Sequence, residues 1–325
     1  MKIPYRVRMT EPDDCIEYTS NSVSGISHYD YFHPYGAVQK NEMDCMEFAH
    51  PEAHDIGYHE HSYGFETFFV TNGKIECCVM GEKVILTPGD ILHIQPYMGH
   101  AFKPASDNCR LAIMFQSMDM SVSTNRRFRV QRNFPGRWED PKLQKKLISF
   151  YGSVPRSFPD APYVDKTTIP AVRVKDSSLK THKRDGLTLK LKIGRWETGG
   201  EKEVWEATME PGFKVEHPEL TPEPYFYYIT EGKVHFKIWE KPDEICEFDA
   251  EAQTLVNIPT VKQFEFEVIE PSKMLDLDCQ ILLQDFLEEI EKLEAQEPEK
   301  LSDKEFMTEL KERFNYCYEF TGMKK

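Results

Sequence analysis

The stretch GYHEHSYGFETFFVTNGK, residues 57–74, carries the most informative pattern in the chain. His59 and His61 are separated by one residue, Glu66 follows five residues later, and an aromatic run then leads into an Asn-Gly pair. Residues two apart in a β-strand point to the same side, so both imidazoles would project into one space. Glu66, at the start of the next strand, can face them across the bend. This spacing predicts a metal site.

A fourth ligand is predicted in PGDILHIQPYMGHAF, where His100 stands four residues beyond Pro96. Three imidazoles and one carboxylate form an N3O set that suits Fe(II), Mn(II), Ni(II), Zn(II) or Co(II) and leaves positions open to substrate or dioxygen. Ca2+ and Mg2+ are poorly suited because they prefer oxygen ligands. We therefore predict one divalent transition metal, held by His59, His61, Glu66 and His100.

Short runs of branched and aromatic residues at 66–70, 75–80, 83–86 and 91–94 predict antiparallel strands joined by tight turns. The Asn-Gly pair at 72–73 predicts a hairpin. The pattern recurs later in the chain, since FFVTNGKIEC at 68–77 aligns with YYITEGKVHF at 227–236, and DILHIQP at 90–96 aligns with QTLVNIP at 253–259. Two copies of one β-unit are therefore predicted.

Composition excludes several classes of protein. The formal net charge of -15 disfavours a nucleic-acid binder, because such affinity depends on clustered Lys and Arg. No apolar run approaches the roughly 18 residues of a membrane span, and the charged N-terminus does not resemble a secretion signal. The eight cysteines contain no CxxC pair. We expect reduced thiols and a cytoplasmic location.

The pattern Gly57-x-His59-x-His61-x4-Glu66-x6-Gly73, followed by Gly81-x6-Pro88-Gly89-Asp90-x5-Pro96-x3-His100, resembles the two sequence motifs of the cupin superfamily. Gly57 departs from that pattern, since the first motif usually begins with a glycine farther from its histidines. The resemblance covers roughly residues 40–116 and 187–280. It implies an all-β fold, in which two cupin barrels of the double-stranded β-helix or jelly-roll type stand in tandem.

The expected domain organisation follows from the repeat. Residues 1–117 form the cupin domain with the metal site, 118–185 an interdomain connector, and 186–280 a second cupin domain. Residues 281–325 show apolar positions at helical spacing and predict two α-helices, with Ser302 and Glu305 as a capping box before the second. The second barrel or these helices are candidate surfaces for homo-oligomer formation.

The second copy is degenerate as a metal site. His217 stands at the first histidine position, but the alignment puts Glu219 at the second, Tyr225 at the position of Glu66 and Gln263 at that of His100. With one or two weak ligands left, this barrel is expected to carry no metal and to have a structural role.

The residues around the predicted metal are mainly aromatic and apolar, which suits a flat or apolar organic substrate better than a phosphorylated one. The predicted substrate-binding residues are Phe65, Phe68, Met80, Phe102 and Arg110. Arg110 is a candidate partner of a substrate carboxylate, and Glu76, Gln95 and Tyr97 are candidate catalytic residues for handling a proton.

Bicupins with a single functional site resemble ring-cleaving dioxygenases that act on hydroxylated aromatic acids. That resemblance implies an oxidoreductase with Fe(II) as the favoured metal, although Mn, Ni, Zn and Co fit the same ligands. Two alternatives remain at this stage. One is a metal-dependent isomerase, lyase or decarboxylase, and the other is a non-catalytic barrel that binds a small molecule.

Overall fold

The computed structural model describes residues 5–9, 17–21, 25–32, 41–53, 57–116, 129–130, 132–143, 146, 153–155, 172–173, 176–217, 220–221, 224–279 and 283–314. The chain divides into two compact units. The first spans Met1–Ile3 and Met9–Ser177, and the second spans Pro4–Arg8 and Ser178–Lys325.

Strands dominate both units, as the sequence predicts. In chain order they are β1 (Arg6–Arg8), β2 (Glu17–Asn21), β3 (Ile26–Phe32), β4 (Asn41–Phe48), β5 (His59–His61), β6 (Phe65–Asn72), β7 (Ile75–Val79), β8 (Glu82–Leu86), β9 (Ile91–Ile94), β10 (His100–Pro104), β11 (Cys109–Gln116), β12 (Ser153–Pro155), β13 (Val172–Arg173), β14 (Lys180–Arg184), β15 (Leu187–Ile193), β16 (Glu203–Met209), β17 (Lys214–His217), β18 (Tyr225–Lys241), β19 (Glu244–Glu251), β20 (Thr254–Ile258) and β21 (Gln263–Cys279).

The first unit is built from two antiparallel sheets. One has the order β13-β9-β6-β11-β4-β3-β2, and the other has the order β12-β5-β10-β7-β8. Both sheets contribute to one apolar cluster, for example Phe68 and Leu111 from the first and Cys77 and Phe102 from the second. We call the face of each sheet that meets this cluster the inner face, and the opposite face the outer face.

The Asn72-Gly73 pair does not close a hairpin, contrary to the prediction. Strand β6 pairs with β9 and β11, whereas β7 pairs with β8 and β10. The turn therefore carries the chain from one sheet to the other. Gly73 is required there, because its φ is +73° and an added Cβ would lie 2.7 Å from the Cys109 sulfur.

The expected connector contributes strands to the first unit, which corrects the predicted boundary at residue 117. Strand β12 pairs with β5, and β13 pairs with β9. The N-terminal strand β1 pairs with β20 of the second unit. Pairing partners distant in sequence therefore define the units, and composition alone could not reveal them.

The second unit contains one large sheet in the order β1-β20-β18-β21-β16-β15-β14, with β17 paired to β21 and β19 to β18. Its apolar cluster includes Tyr227, Phe236 and Phe266. The register of β18 against β21 shifts around Glu231, next to Gly232, which has a φ of +79°. The repeat predicted from the sequence therefore adopts a bent, continuous strand here.

Helices are short and few in the described part of the chain. Those whose bounds are described are α1 (Pro135–Trp138), α2 (Leu283–Gln296), α3 (Lys304–Arg313) and the 3-10 segments Arg195–Glu197 and Pro298–Ser302. Two α-helices thus lie near the C-terminus, as predicted, but Asp303 rather than Ser302 caps α3, because Ser302 ends the preceding 3-10 segment. None of the described helices is long and apolar enough to cross a lipid bilayer.

Candidate metal centre

The four predicted ligands converge inside the first unit. One candidate ligand atom from each of His59, His61, Glu66 and His100 lies within 4.8 Å of the other three, and all four side chains are buried. His61 Nε2 lies 3.1 Å from Glu66 Oε1, and His100 Nε2 lies 2.8 Å from Glu66 Oε2. Among the residues that the structure describes, this is the one such group of metal-ligating side chains.

Both sheets are needed to assemble the group. The histidines belong to β5 and β10, which pair with His100 directly opposite His59. His59 and His61 are buried while Glu60 between them is partly exposed, which is the alternation that the HxH spacing predicts. Glu66 comes from β6 in the other sheet. The carboxylate therefore reaches the imidazoles across the interior.

Backbone carbonyls orient two of the imidazoles. His59 Nδ1 donates to the Gly57 carbonyl at 2.8 Å, and His100 Nδ1 donates to the Met98 carbonyl at 2.9 Å. These bonds select the tautomer that leaves each Nε2 available as a donor atom to a metal. In metal-bound histidine the other ring nitrogen usually donates to a neighbouring carbonyl or carboxylate in this way. Three imidazole nitrogens and one carboxylate thus fit a divalent transition metal.

The electrostatics of the group suit metal binding. Burial, reinforced by His100 and His61, holds the pKa of His59 well below its usual range, so this imidazole is neutral at neutral pH. Burial alone would raise the pKa of the Glu66 carboxyl, but His61 and His100 outweigh it and hold that pKa well below its usual range. Burial lowers the pKa of His100, yet the Glu66 carboxylate outweighs burial and raises it.

Gly99 allows a tight packing contact beside the centre. A Cβ on this residue would lie 2.5 Å from the Tyr58 hydroxyl oxygen, well inside any real contact distance. Tyr58 and Gly99 immediately precede His59 and His100. The glycine therefore lets a tyrosine pack against the chain next to two of the ligands.

Two of the predicted substrate-binding residues lie on the inner face. Phe68 packs against His100 with ring centroids 6.3 Å apart, and against Phe102 at 5.0 Å. Phe48 also contacts Phe102, at 6.4 Å, and Ile94 lies opposite Glu66. Sequence reasoning missed Phe48 and Ile94, although strand alternation would have placed Ile94 inward once its register with Glu66 was known.

Three other predicted residues have side chains on outer faces. Phe65 precedes Glu66 in the strand and stacks on His93 at 5.5 Å. Glu76 lies near Lys83 and Lys103, and Arg110 lies 3.5 Å from Glu47. Alternation along a strand sends neighbouring residues to opposite faces, which removes Phe65, Glu76 and Arg110 from the metal centre.

The remaining predicted residues lie on loops next to the ligands. Tyr97 donates its backbone N–H to the His61 carbonyl at 2.7 Å, and Met80 donates its own to the Gly99 carbonyl at 2.7 Å. Their side chains are 65% and 62% exposed, and both have positive φ. Gln95 begins the turn that Met98 closes. Met80 therefore lies at the rim of the site, and its role in substrate binding stays a prediction.

Aromatic residues fill the corresponding region of the second unit. The pairing of His217 with Phe264 matches that of His59 with His100, so Phe264 stands at the fourth ligand position. The alignment had placed Gln263 there, one residue away. His217 stacks on Phe264 at 5.1 Å, and the Tyr225 hydroxyl lies 3.3 Å from His217 Nε2. The predicted ligand position Glu219 lies outside the described residues.

The fold and the site together define a β-barrel protein with a buried N3O metal centre in one of its two units. Residues 46–115 match the family model of the cupin domain. The quercetin 2,3-dioxygenase of Bacillus subtilis (strain 168) is 29% identical over 97 residues, which are 28% of this chain and 29% of that enzyme. That match therefore spans less than a third of the relative's length.

Solved structures are similar over most of the chain. The formate complex of Lactobacillus farciminis oxalate decarboxylase aligns over 94% of each chain, with a TM-score of 0.52 and 14% identity. A variant of Bacillus subtilis oxalate decarboxylase aligns over 88% of this chain and 81% of its own, with a TM-score of 0.51 and 12% identity. Residues 46–115 therefore match a cupin domain, and the chain has the fold of a bicupin.

Proposed function

We propose that this protein is a dioxygenase that oxidises a small hydroxylated aromatic or otherwise apolar organic molecule, with Fe(II) as the favoured metal. The observation that carries the proposal is the N3O centre set into an apolar inner wall. Among the described buried residues of the first unit, Arg110 is the one Lys or Arg, and it lies on the outer face beside Glu47. An uncharged, flat substrate fits such a surface better than a small anion.

Each group of residues in the site would have a separate role. His59, His61, Glu66 and His100 hold the metal, which when bound supplies redox chemistry between an organic substrate and dioxygen. Phe68 and Phe102 pack against the substrate rings and exclude water. Tyr97, Met80 and Gln95, on the loops beside the ligands, contact the substrate where it enters.

The match to quercetin 2,3-dioxygenase supports the same chemistry, because that enzyme is a dioxygenase that acts on quercetin. The likeness to oxalate decarboxylases supports the fold alone, at 14% identity or less. A small dicarboxylate would also need a cationic partner, and Arg110 lies on the outer face beside Glu47. These observations favour the dioxygenase over a lyase or decarboxylase.

Dioxygen uptake by the Fe(II)-loaded protein, measured with an electrode across a panel of hydroxylated aromatics, tests the proposal. We expect uptake with at least one member of the panel and its loss in His100→Ala. His93→Gln provides the matched control, since His93 is a buried histidine on the outer face, bonded to Thr67, and its replacement should leave uptake intact.

Other outcomes would contradict the proposal. Product formed under nitrogen with Mn or Zn in place of iron would identify an isomerase, lyase or decarboxylase. Ligand-induced thermal shifts with no product under either atmosphere would identify a non-catalytic binding protein.

A further inference from the structure

A histidine and an aspartate form a buried pair in the first unit, separate from the four metal ligands. His28 Nε2 lies 2.9 Å from Asp44 Oδ2, and the two side chains are 2% and 0% exposed. His28 belongs to β3 and Asp44 to β4. Neither residue takes part in the site described above.

The pair lies on the inner face. Ile26, two residues before His28, belongs to the apolar cluster between the sheets, as does Met46, two residues after Asp44. Residues two apart in a strand share a face, so His28 and Asp44 point into the same interior as Glu66.

The strand register places this pair relative to the metal centre. Asp44 pairs with Ile113 on β11, and Ile113 pairs with Phe68 on β6. Glu66 stands two residues before Phe68. Asp44 is therefore two strands across the sheet and two residues along the strand from Glu66. Ordinary strand spacing then puts their Cα atoms about 12 Å apart.

Burying a polar pair in an apolar interior costs more free energy than packing apolar side chains there. The second unit has apolar side chains at the two corresponding positions. By the same pairing register, Trp205 stands at the position of Asp44 and Leu189 at that of His28. That unit keeps a buried carboxylate, Asp276, but at the position of Ile113. The pair therefore distinguishes the unit with the metal ligands.

Asp44 also retains an acceptor. Both of its side-chain oxygens are buried and lack a hydrogen-bond partner among the described residues, although Oδ2 lies 2.9 Å from His28 Nε2. A buried carboxylate oxygen left unsatisfied is costly, and a ligand hydroxyl group would satisfy it.

We propose that Asp44, oriented by His28, accepts a hydrogen bond from a hydroxyl group at the end of the substrate farthest from the metal. The inference rests on the proposed function, because it takes the substrate to be a hydroxylated aromatic bound at the metal. It narrows the substrate class to flat aromatics with one hydroxyl near the metal and a second at the distal end, separated by the apolar contacts of Phe68 and Ile113.

Equilibrium binding to the Zn-loaded protein tests the inference without turnover. The probes are flavonol, whose hydroxyl lies only at its chelating end, and its derivative with one more hydroxyl on the distal phenyl ring. Absorbance titration gives both dissociation constants. We expect the derivative to bind about tenfold more tightly, as one additional hydrogen bond implies.

Asp44→Leu should abolish that preference while leaving the affinity for flavonol and the zinc content unchanged. Asp44→Asn keeps an oxygen acceptor and should retain part of the preference. Glu291→Gln is the matched control, because Glu291 pairs with the buried His182 at 2.6 Å in the second unit. This variant should bind both probes as the parent does.

Equal affinity of the parent protein for the two probes would overturn the inference, even if Asp44→Leu failed to fold. Failure of both probes to bind would overturn it as well. A preference that survives in Asp44→Leu would assign the distal contact to another group. None of these results depends on dioxygen uptake. The proposed function is therefore tested separately, by the dioxygen-uptake measurement.

Discussion

The Glu66 carboxylate is buried and charged, and its closest partners are His61 and His100. A charge in this position is tolerated only because the imidazoles, or a metal bound with them, compensate for lost hydration. His61 therefore serves as a ligand and also as electrostatic support for Glu66. Removing it takes away one of three imidazole donors and weakens the support for the carboxylate.

His61→Ala should reduce the metal content of the purified protein to well under one tenth of the parent value. Mutating a residue that only hydrogen-bonds to a ligand typically costs about 10–100-fold in metal affinity, and losing one of the four ligands should cost at least as much. Elemental analysis by mass spectrometry measures this directly. His93→Gln should retain the parent metal content. A His61→Ala protein that still holds one metal per chain would remove His61 from the site.

Helix α3 shows how a terminal element depends on one polar contact. Asp303 Oδ1 accepts hydrogen bonds from the backbone N–H groups of Glu305 and Phe306 at 3.0 and 3.2 Å. Those N–H groups have no partner within the helix itself. Met307 and Leu310 of the same helix join the apolar cluster of the second unit. Fraying at the cap therefore weakens a packed surface.

Asp303→Ala should lower the free energy of unfolding of the second unit by about 1 kcal/mol, the usual cost of losing an N-cap. Ser302→Ala is the matched control and should change it by less than about half that value. Denaturant unfolding followed by far-UV circular dichroism measures both. An equal loss of unfolding free energy in the two variants would contradict Asp303 as the sole cap and support a capping role for Ser302, which the sequence had suggested.

At the scale of the whole molecule, the two units have separate apolar clusters, and the described metal-ligating group lies in the first. A ligand that binds only the folded state stabilises the unit that holds it, by about 2.7 kcal/mol at 100 times its dissociation constant. We expect the second unit, whose corresponding region contains His217 and Phe264, to have no direct share in that stabilisation.

Removing the metal with a chelator should accelerate hydrogen exchange up to about 100-fold in peptides from β5, β6 and β10. Peptides from β18 and β21 should exchange as before. Hydrogen exchange read by mass spectrometry resolves both sets, and His61→Ala should show no response to the chelator. Equal acceleration in both units would mean that the metal stabilises them jointly.

The local sequence pattern was sufficient to predict the four metal ligands. His59 and His61 alternate on one short strand, and the turn before β9 and the position of His100 follow from nearby residues. The same pattern was insufficient to predict which side chains line the site. Phe65 and Glu66 are adjacent, and only the register of β6 shows which one faces the interior. Arg110 and Glu76 were misplaced for the same reason, since facing cannot be read from proximity in sequence.

The sequence by itself determined the strand content, the repeated β-unit and the four metal ligands, because these depend on residue type and short spacing. Only the tertiary structure decided that the Asn72-Gly73 turn joins two sheets, that β12 and β13 belong to the first unit, and that His28 meets Asp44 inside it. The physical reason is that strand pairing brings together residues distant in the chain, and hydrogen-bond register, which local composition does not encode, sets the direction of every side chain.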